Sequence, residues 1–353
     1  MLRPCGNFKK SYEEDESIFP TTFLKLSIFG FLVFLLILPL VSSKYALNFI
    51  NITGIFIIGA IGLNIVTGFS GLISLGHAVF MGLGAYATVL LMTKLNLSFF
   101  IAFPLGALIA AFLALIPGFT CLRIKGFYLA ISTLAAQIIF EFAIVETPGF
   151  TGGDLGLAVP VPKVFSTLNT YGQEVLYYFI FAIVIGSTMF ARNLFRTKPG
   201  RLFVAIRDND LSCKVLGISV GKYKLISFWL GSFYAGLAGG LWAICLGTIS
   251  PEQFSLALSL QFLFIILVGG MGSILGSILG TVFVLLIPEV MANISTAARG
   301  AAGFDLSKYL VTINNGIFGL LIIIFLIYEP HGLAKIWWKI KNYWKLWPFS
   351  YSD

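Results

Sequence analysis

GRLFVAIRDNDLSCKVLGIS, residues 200–219, is a polar, basic, helix-forming insert between two long apolar segments. Leu202, Ile206, Cys213, Leu216 and Ile218 form an apolar stripe, flanked by Arg201, Arg207, Asp208, Asp210 and Lys214. That pattern predicts a short amphipathic helix pair outside the membrane. A helix of this kind either lies on lipid headgroups or docks into a groove on another protein.

The surrounding chain is oily. Of 353 residues, 58% are hydrophobic and 11% are charged, against about 25% charged in a soluble domain. The composition predicts an all-α polytopic membrane protein. A span needs about 20 mostly apolar residues, and ten candidates occur at 23–41, 46–67, 77–92, 97–119, 127–145, 175–191, 225–247, 256–269, 274–290 and 310–328. The glycine-broken run GFSGLISLG, 68–76, is apolar but not helical in pattern, so it reads as a half-helix or re-entrant turn buried in protein. With the N-terminus inside, 18 Lys and Arg fall on the cytoplasmic side and 5 on the other. This asymmetry predicts N-in, C-in topology and a cytoplasmic loop at 192–224. Residues 1–22 read as a cytoplasmic tail without a signal-peptide core, and 23–330 as a transmembrane unit. Residues 331–353 read as a basic, Trp-rich tail on the inner leaflet.

Net charge +8 does not point to nucleic acid, because the basic residues flank spans. Cys5, Cys121, Cys213 and Cys245 lack metal or disulfide spacing, and His77 and His331 are far apart, so no metal site is expected. His77 reads as a polar residue at a helix end. No phosphate-binding GxxxxGK[ST] and no nucleophile–base constellation occurs, so the chain is not expected to be an enzyme or to bind a cofactor itself. Gly272, Gly276 and Gly280 recur every fourth residue, as do Gly231, Ala235 and Gly239, a spacing that lets membrane helices approach closely. Gln137 and Glu141 sit one helical turn apart within a span, where polar groups need partners or a wet interior. The outer motif TGGDLGL, with Thr151, Gly152 and Gly153, is turn chemistry.

Five strings occur in a fixed order: GLNIVTGFSGLISLGHAVFMGLGAYATVLL (62–91), LRIKGFYLAISTLAAQII (122–139), TGGDLGL, the 200–219 loop, and ISPEQFS followed by ILVGGMGSILGSILG (249–280). The set resembles the LivM-type permeases of branched-chain amino acid ABC importers and their urea-transporting relatives, over roughly residues 45 to 330. Asp210, Ser212, Cys213 and Gly217 fall where such permeases carry a Glu-Ala-Ala…Gly coupling signature, with Asp for Glu and Ser and Cys for the alanines. The resemblance implies that Arg207 to Gly217 dock an ATPase. It also implies a bacterial inner-membrane location, a second homologous permease, two ABC ATPase subunits that carry ATP and Mg, and a periplasmic binding protein. Gln137, Glu141, Thr151, Gly152 and Gly153 are then candidates for the solute path. Urea or short amides are the alternative substrate. A stand-alone secondary transporter is disfavoured, since Glu141 and Glu289 are the only acidic residues within or at the edge of spans. A lipid-modifying enzyme is disfavoured by the missing catalytic set.

Overall fold

The computed structural model describes residues 22–122, 126–160, 162, 172–302 and 332–346, with isolated positions between 316 and 329. The described residues are overwhelmingly helical. Helices cover nine of the ten candidate spans: α1 (Thr22–Val41), α2 (Lys44–Leu63), α3 (His77–Lys94), α4 (Phe99–Leu113), α5 (Phe127–Val145), α6 (Gly172–Leu194), α9 (Val220–Leu246), α10 (Leu256–Gly269) and α11 (Ile274–Ala302). Between α6 and α9 lie α7 (Lys198–Asp208) and α8 (Asp210–Val215), and the last described element is α12 (Gly332–Leu346). The N-terminal tail to residue 21, and all but isolated positions of the candidate span 310–328, lie outside the described residues.

Seven of the described helical stretches are long and apolar enough to cross a bilayer: Lys44–Phe69, Phe99–Gly118, Tyr128–Val145, Gln173–Leu194, Val220–Leu246, Pro251–Gly269 and Ile274–Asn293. The number ten is therefore not reached among the described residues. Helix α3 falls short because His77 and Lys94 close its ends and glycines and threonines dilute its middle. Its residues are instead mostly buried among other helices.

Helix α9 is the hub, packing on α2, α3 and α4, while α10 pairs with α11. Small residues make the α9 contacts possible. A Cβ at Gly239 would run into the Met81 carbonyl of α3, and one at Gly231 would lie 2.7 Å from the Gly62 carbonyl of α2. Close backbone approach of this kind replaces the hydrophobic drive that lipid does not supply. On the opposite pair, a Cβ at Gly276 would sit 2.7 Å from the carbonyl oxygens of both Gly269 and Gly270, and one at Gly280 would meet the Ile265 carbonyl. So Gly276 and Gly280 join α11 to α10 of the same chain. Gly272, placed with them by spacing, is not on that helix face: it lies in the 270–273 turn with φ +77°.

The glycine-broken run is a re-entrant segment. Helix α2 continues as a π-helical turn, Asn64–Phe69, and the chain then reverses. His77, at the start of α3, is buried and its Nε2 lies 2.9 Å from the Gly59 carbonyl. Gly59 is ten residues before the end of the π turn, so residues 70–76 climb back about 15 Å alongside α2. His77 is thus the helix-end polar residue expected from sequence, and it is buried and bonded within the bundle. The irregular backbone is held by Thr133 Oγ1, which accepts from Leu75 N at 2.9 Å, and by Thr67 Oγ1, which donates to the Leu72 carbonyl at 3.0 Å. Backbone of this kind at membrane depth requires such internal partners.

Candidate functional site

The 198–220 insert folds as two helices broken at Asn209, whose extended backbone (φ −155°, ψ 101°) ends α7 and starts α8. Asn209 Oδ1 accepts from Leu211 N (3.1 Å) and Ser212 N (3.0 Å), an N-cap that satisfies two donors at the start of α8. The other end closes on Gly217. Gly217 N donates to the Lys214 carbonyl and Ile218 N to the Cys213 carbonyl, both at 3.0 Å, with Gly217 at φ +75°. That pair of bonds is the Schellman arrangement, which glycine enters without a Cβ penalty. Its usual hydrophobic partner is present, since Cys213 packs with Ile206 and Val220 while Ile218 covers them.

Space around Gly217 is open, so a substitution there acts through backbone strain alone. Asp is among the residues that tolerate this conformation, which makes valine the sharper test. Gly217→Val is expected to cost about 1–2 kcal/mol at the helix end. It should lower coupled ATP hydrolysis while the amount of inserted permease stays unchanged, measured in proteoliposomes against membrane protein level.

The coupling residues named from sequence divide into two groups. Cys213 is buried, and Asp210 lies 3.9 Å from Lys224 of α9, so both face the bundle. Arg207 also turns inward: Nη1 donates to the Gly68 carbonyl at 2.8 Å and its stem lies over Gly71, while Nε and Nη2 hold Asp208 at 3.1 and 3.0 Å. A Cβ at Gly272 would lie 2.9 Å from the same Arg207 Nη1. Ser212 and Gly217 are exposed. The apolar stripe read from spacing as a lipid or docking face is split: Ile206 and Cys213 are buried in the bundle, whereas Leu216 is 76% exposed, beside Leu211 (65%) and Val215 (87%). The break at Asn209 resets the helical phase, which a periodicity read across residues 202–218 could not anticipate.

Leu211, Val215 and Leu216 therefore form an apolar ridge on the free side of a short helix capped at both ends. The helix is tied to the bundle by Lys224, and its neighbour α7 by Arg207 and the buried Phe203. Phe69, at the end of the π turn, stacks on Phe195 just before α7. Asn64 links the next layer, donating through Nδ2 to the Ser273 carbonyl (2.8 Å) and Ser277 Oγ (2.7 Å) and accepting from Gly272 N (2.9 Å). Continuous contacts thus link the α7–α8 pair to the π turn, the re-entrant segment and the α10–α11 turn. Asn209 and Asn64 were not singled out from sequence. The signal for Asn209 was an Asn one residue before an acidic first turn, whereas nothing local marks Asn64.

Gln137 and Glu141 are brought together on α5. Gln137 is buried; its Nε2 donates to Glu141 Oε1 at 2.7 Å and to the Phe254 carbonyl. Ser259 Oγ reaches Gln137 Oε1 at 3.5 Å and accepts from Ala78 N at 2.9 Å, so the pair joins the starts of α3 and α10. Thr151 Oγ1 donates to the Ile144 carbonyl at 2.6 Å, and Gly152 and Gly153 take φ +77° and +58°. These three shape the turn after α5 that carries β1 (Leu157–Ala158) to its antiparallel partner β2 (Thr248–Ile249). No group of three or more His, Cys, Asp or Glu that could hold a metal occurs among the described residues.

Residues 45–326 match the family model described as branched-chain amino acid transport system / permease component. The chain belongs to that permease family. The permease is 31% identical, over 88% of its own length and 75% of the relative's, to the high-affinity branched-chain amino acid transport system permease LivM of Salmonella typhimurium. It matches LivM of Escherichia coli with the same identity and coverage. The BraD permease of the corresponding Pseudomonas aeruginosa system is 27% identical over 81% of this chain and 93% of that one. The permease is thus a multi-pass membrane subunit of an ABC importer. The match ends at residue 326, before α12 begins.

Proposed function

We propose that this permease translocates branched-chain amino acids across a bacterial inner membrane, in a heteromeric importer with a second homologous permease, two ATPase subunits and a periplasmic binding protein. The exposed Leu211–Val215–Leu216 ridge on α8 carries this reading. A rigid, doubly capped helix with an apolar free face is built to seat in a cleft of a moving partner. ATP and Mg act on those partners, and the permease itself supplies the path. Ten spans with both termini in the cytoplasm place α8 on the ATPase side, consistent with the excess of Lys and Arg there. Each alternating state then differs in solute affinity, and ATP binding biases the equilibrium between them. Residues 1–22 and 331–353 flank this transport unit as cytoplasmic tails.

Reconstituted importer tests the substrate. Radiolabelled leucine, isoleucine or valine should accumulate in an ATP-dependent manner, and urea should not; accumulation of urea alone would reassign the substrate class.

Gln137 and Glu141, with Thr151, Gly152 and Gly153 at the outer end, are proposed to border the solute path. The support is that Glu141 is only half buried beside a fully buried Gln137. Glu141→Gln keeps the shape and removes the charge, so uptake should change at constant protein level. Gln137→Leu strips the hydrogen bonds to Glu141 and the Phe254 carbonyl, and should cost about 1–3 kcal/mol in stability. Unchanged uptake in both variants would remove the pair from the path.

A further inference from the structure

Helix α12, GLAKIWWKIKNYWKL, lies beyond the family match and takes no part in the contacts that hold α8. Leu333, Ile336, Trp337 and Ile340 recur at helical spacing and make one apolar stripe. The stripe starts on protein. Leu333 packs against the bundle core, and Gly332 sits so near the α10 terminus that a Cβ there would lie 2.7 Å from the Gly269 carbonyl carbon. Further along, the same face leaves the protein: Trp337 is 52% exposed and Ile340 47%, with Tyr343 (62%) at its edge.

Charge narrows the occupant. The helix carries Lys335, Lys339, Lys341 and Lys345 and no Asp or Glu. By helical position Lys335 and Lys339 lie one turn apart, Lys339 beside one edge of the stripe and Lys335 on the face away from it, while Lys341 lies beside the other edge. The acid facing the first pair is Glu329, just outside the helix, with Lys339 at 2.8 Å and Lys335 at 3.6 Å. Lys339 holds the Glu329 carboxyl below the usual carboxylate range. An apolar stripe bearing Trp337, with a lysine beside each edge, suits the headgroup layer, where aliphatic stems lie on apolar surface and ammonium groups reach phosphate. Charge of one sign selects anionic over zwitterionic lipid. The stripe also begins against α10 and α11, two membrane-crossing helices, at the end where α10 stops.

We infer that α12 is an anionic-lipid-binding helix that clamps the 270–273 turn. Its first turn bears on Gly269 and Gly270, and Arg207 of the coupling loop approaches Gly272 in the same turn. Anionic lipid seated along α12 thus fixes the platform against which α8 moves. This does not depend on which solute is carried.

Lipid contact is read on the full-length permease alone, in vesicles of equimolar phosphatidylcholine and phosphatidylglycerol with bromines on one lipid or the other. Substituting Trp229→Phe, Trp242→Phe and Trp347→Phe confines the fluorescence to α12. Brominated phosphatidylglycerol should quench about threefold more than brominated phosphatidylcholine, and Lys→Gln at all four lysines should erase the difference. Glu329→Gln frees two lysines and should preserve or increase it. Equal quenching by the two lipids overturns the lipid assignment, and absence of quenching by either shows that protein covers the face. The clamp is read in the assembled importer. Uptake should fall several-fold in pure phosphatidylcholine for the unsubstituted protein, while the four-lysine variant should be equally active in both vesicles. Lipid-independent uptake of the unsubstituted protein overturns the clamp. Because quenching needs no ATPase or solute, its failure leaves the transport reading untouched, and the converse holds.

Discussion

Leu211→Asp combined with Val215→Asp is expected to abolish ATP-driven uptake while leaving the permease inserted and folded. Both side chains are already exposed, 65% and 87%, so the folded chain loses little by the change. The cost falls on association. Each apolar side chain buried in a partner cleft contributes about 1.5–3 kcal/mol, and a desolvated carboxylate adds a further penalty. ATPase affinity should therefore weaken by at least about 100-fold. Co-purification of the ATPase with the tagged permease measures it. Retained co-purification with normal uptake would remove the ridge from the interface.

Gly276→Leu should have the largest effect on the fold. A Cβ alone would lie 2.7 Å from two carbonyl oxygens of the α10 terminus, and the rest of a leucine has no room. Helix α11 must then move away from α10, breaking the Asn64 bonds to Ser273 and Ser277. Overpacking at a backbone contact costs on the order of 3 kcal/mol or more. The thermal midpoint in detergent should drop accordingly. Gly186→Leu is the control, because nothing lies within 4 Å of a Cβ at that position. Equal midpoints for the two variants would show that the α10–α11 contact yields freely.

Apolar length made the helices legible, since nine candidate segments are helices and seven described stretches are long and apolar enough to cross a bilayer. The break after Phe69 was legible too, because Gly68, Gly71 and Gly76 interrupt an apolar run that otherwise looks like helix. What lay hidden is how that run climbs back into the bundle. Only the His77 contact with Gly59 reveals it, a pairing between residues far apart in sequence. Gly272 was grouped with Gly276 and Gly280 because glycine serves tight turns and close helix contacts alike, and spacing does not separate the two uses. The coupling loop was legible as a loop but not in its orientation. Asp210 and Cys213 match the outward-docking signature by position, yet one faces Lys224 and the other is buried. The exposed apolar residues are instead Leu211, Val215 and Leu216, one to three positions away. An error of one position on a helix turns a side chain by about 100°, enough to exchange inside for outside.

Photocross-linking from position 215 tests the central claim most directly. A benzophenone side chain at Val215, which is 87% exposed, projects from the ridge. In membranes holding the whole importer, a nucleotide-sensitive adduct should form between permease and ATPase subunit. An adduct only with lipid, or none with the ATPase while uptake persists, would contradict the claim.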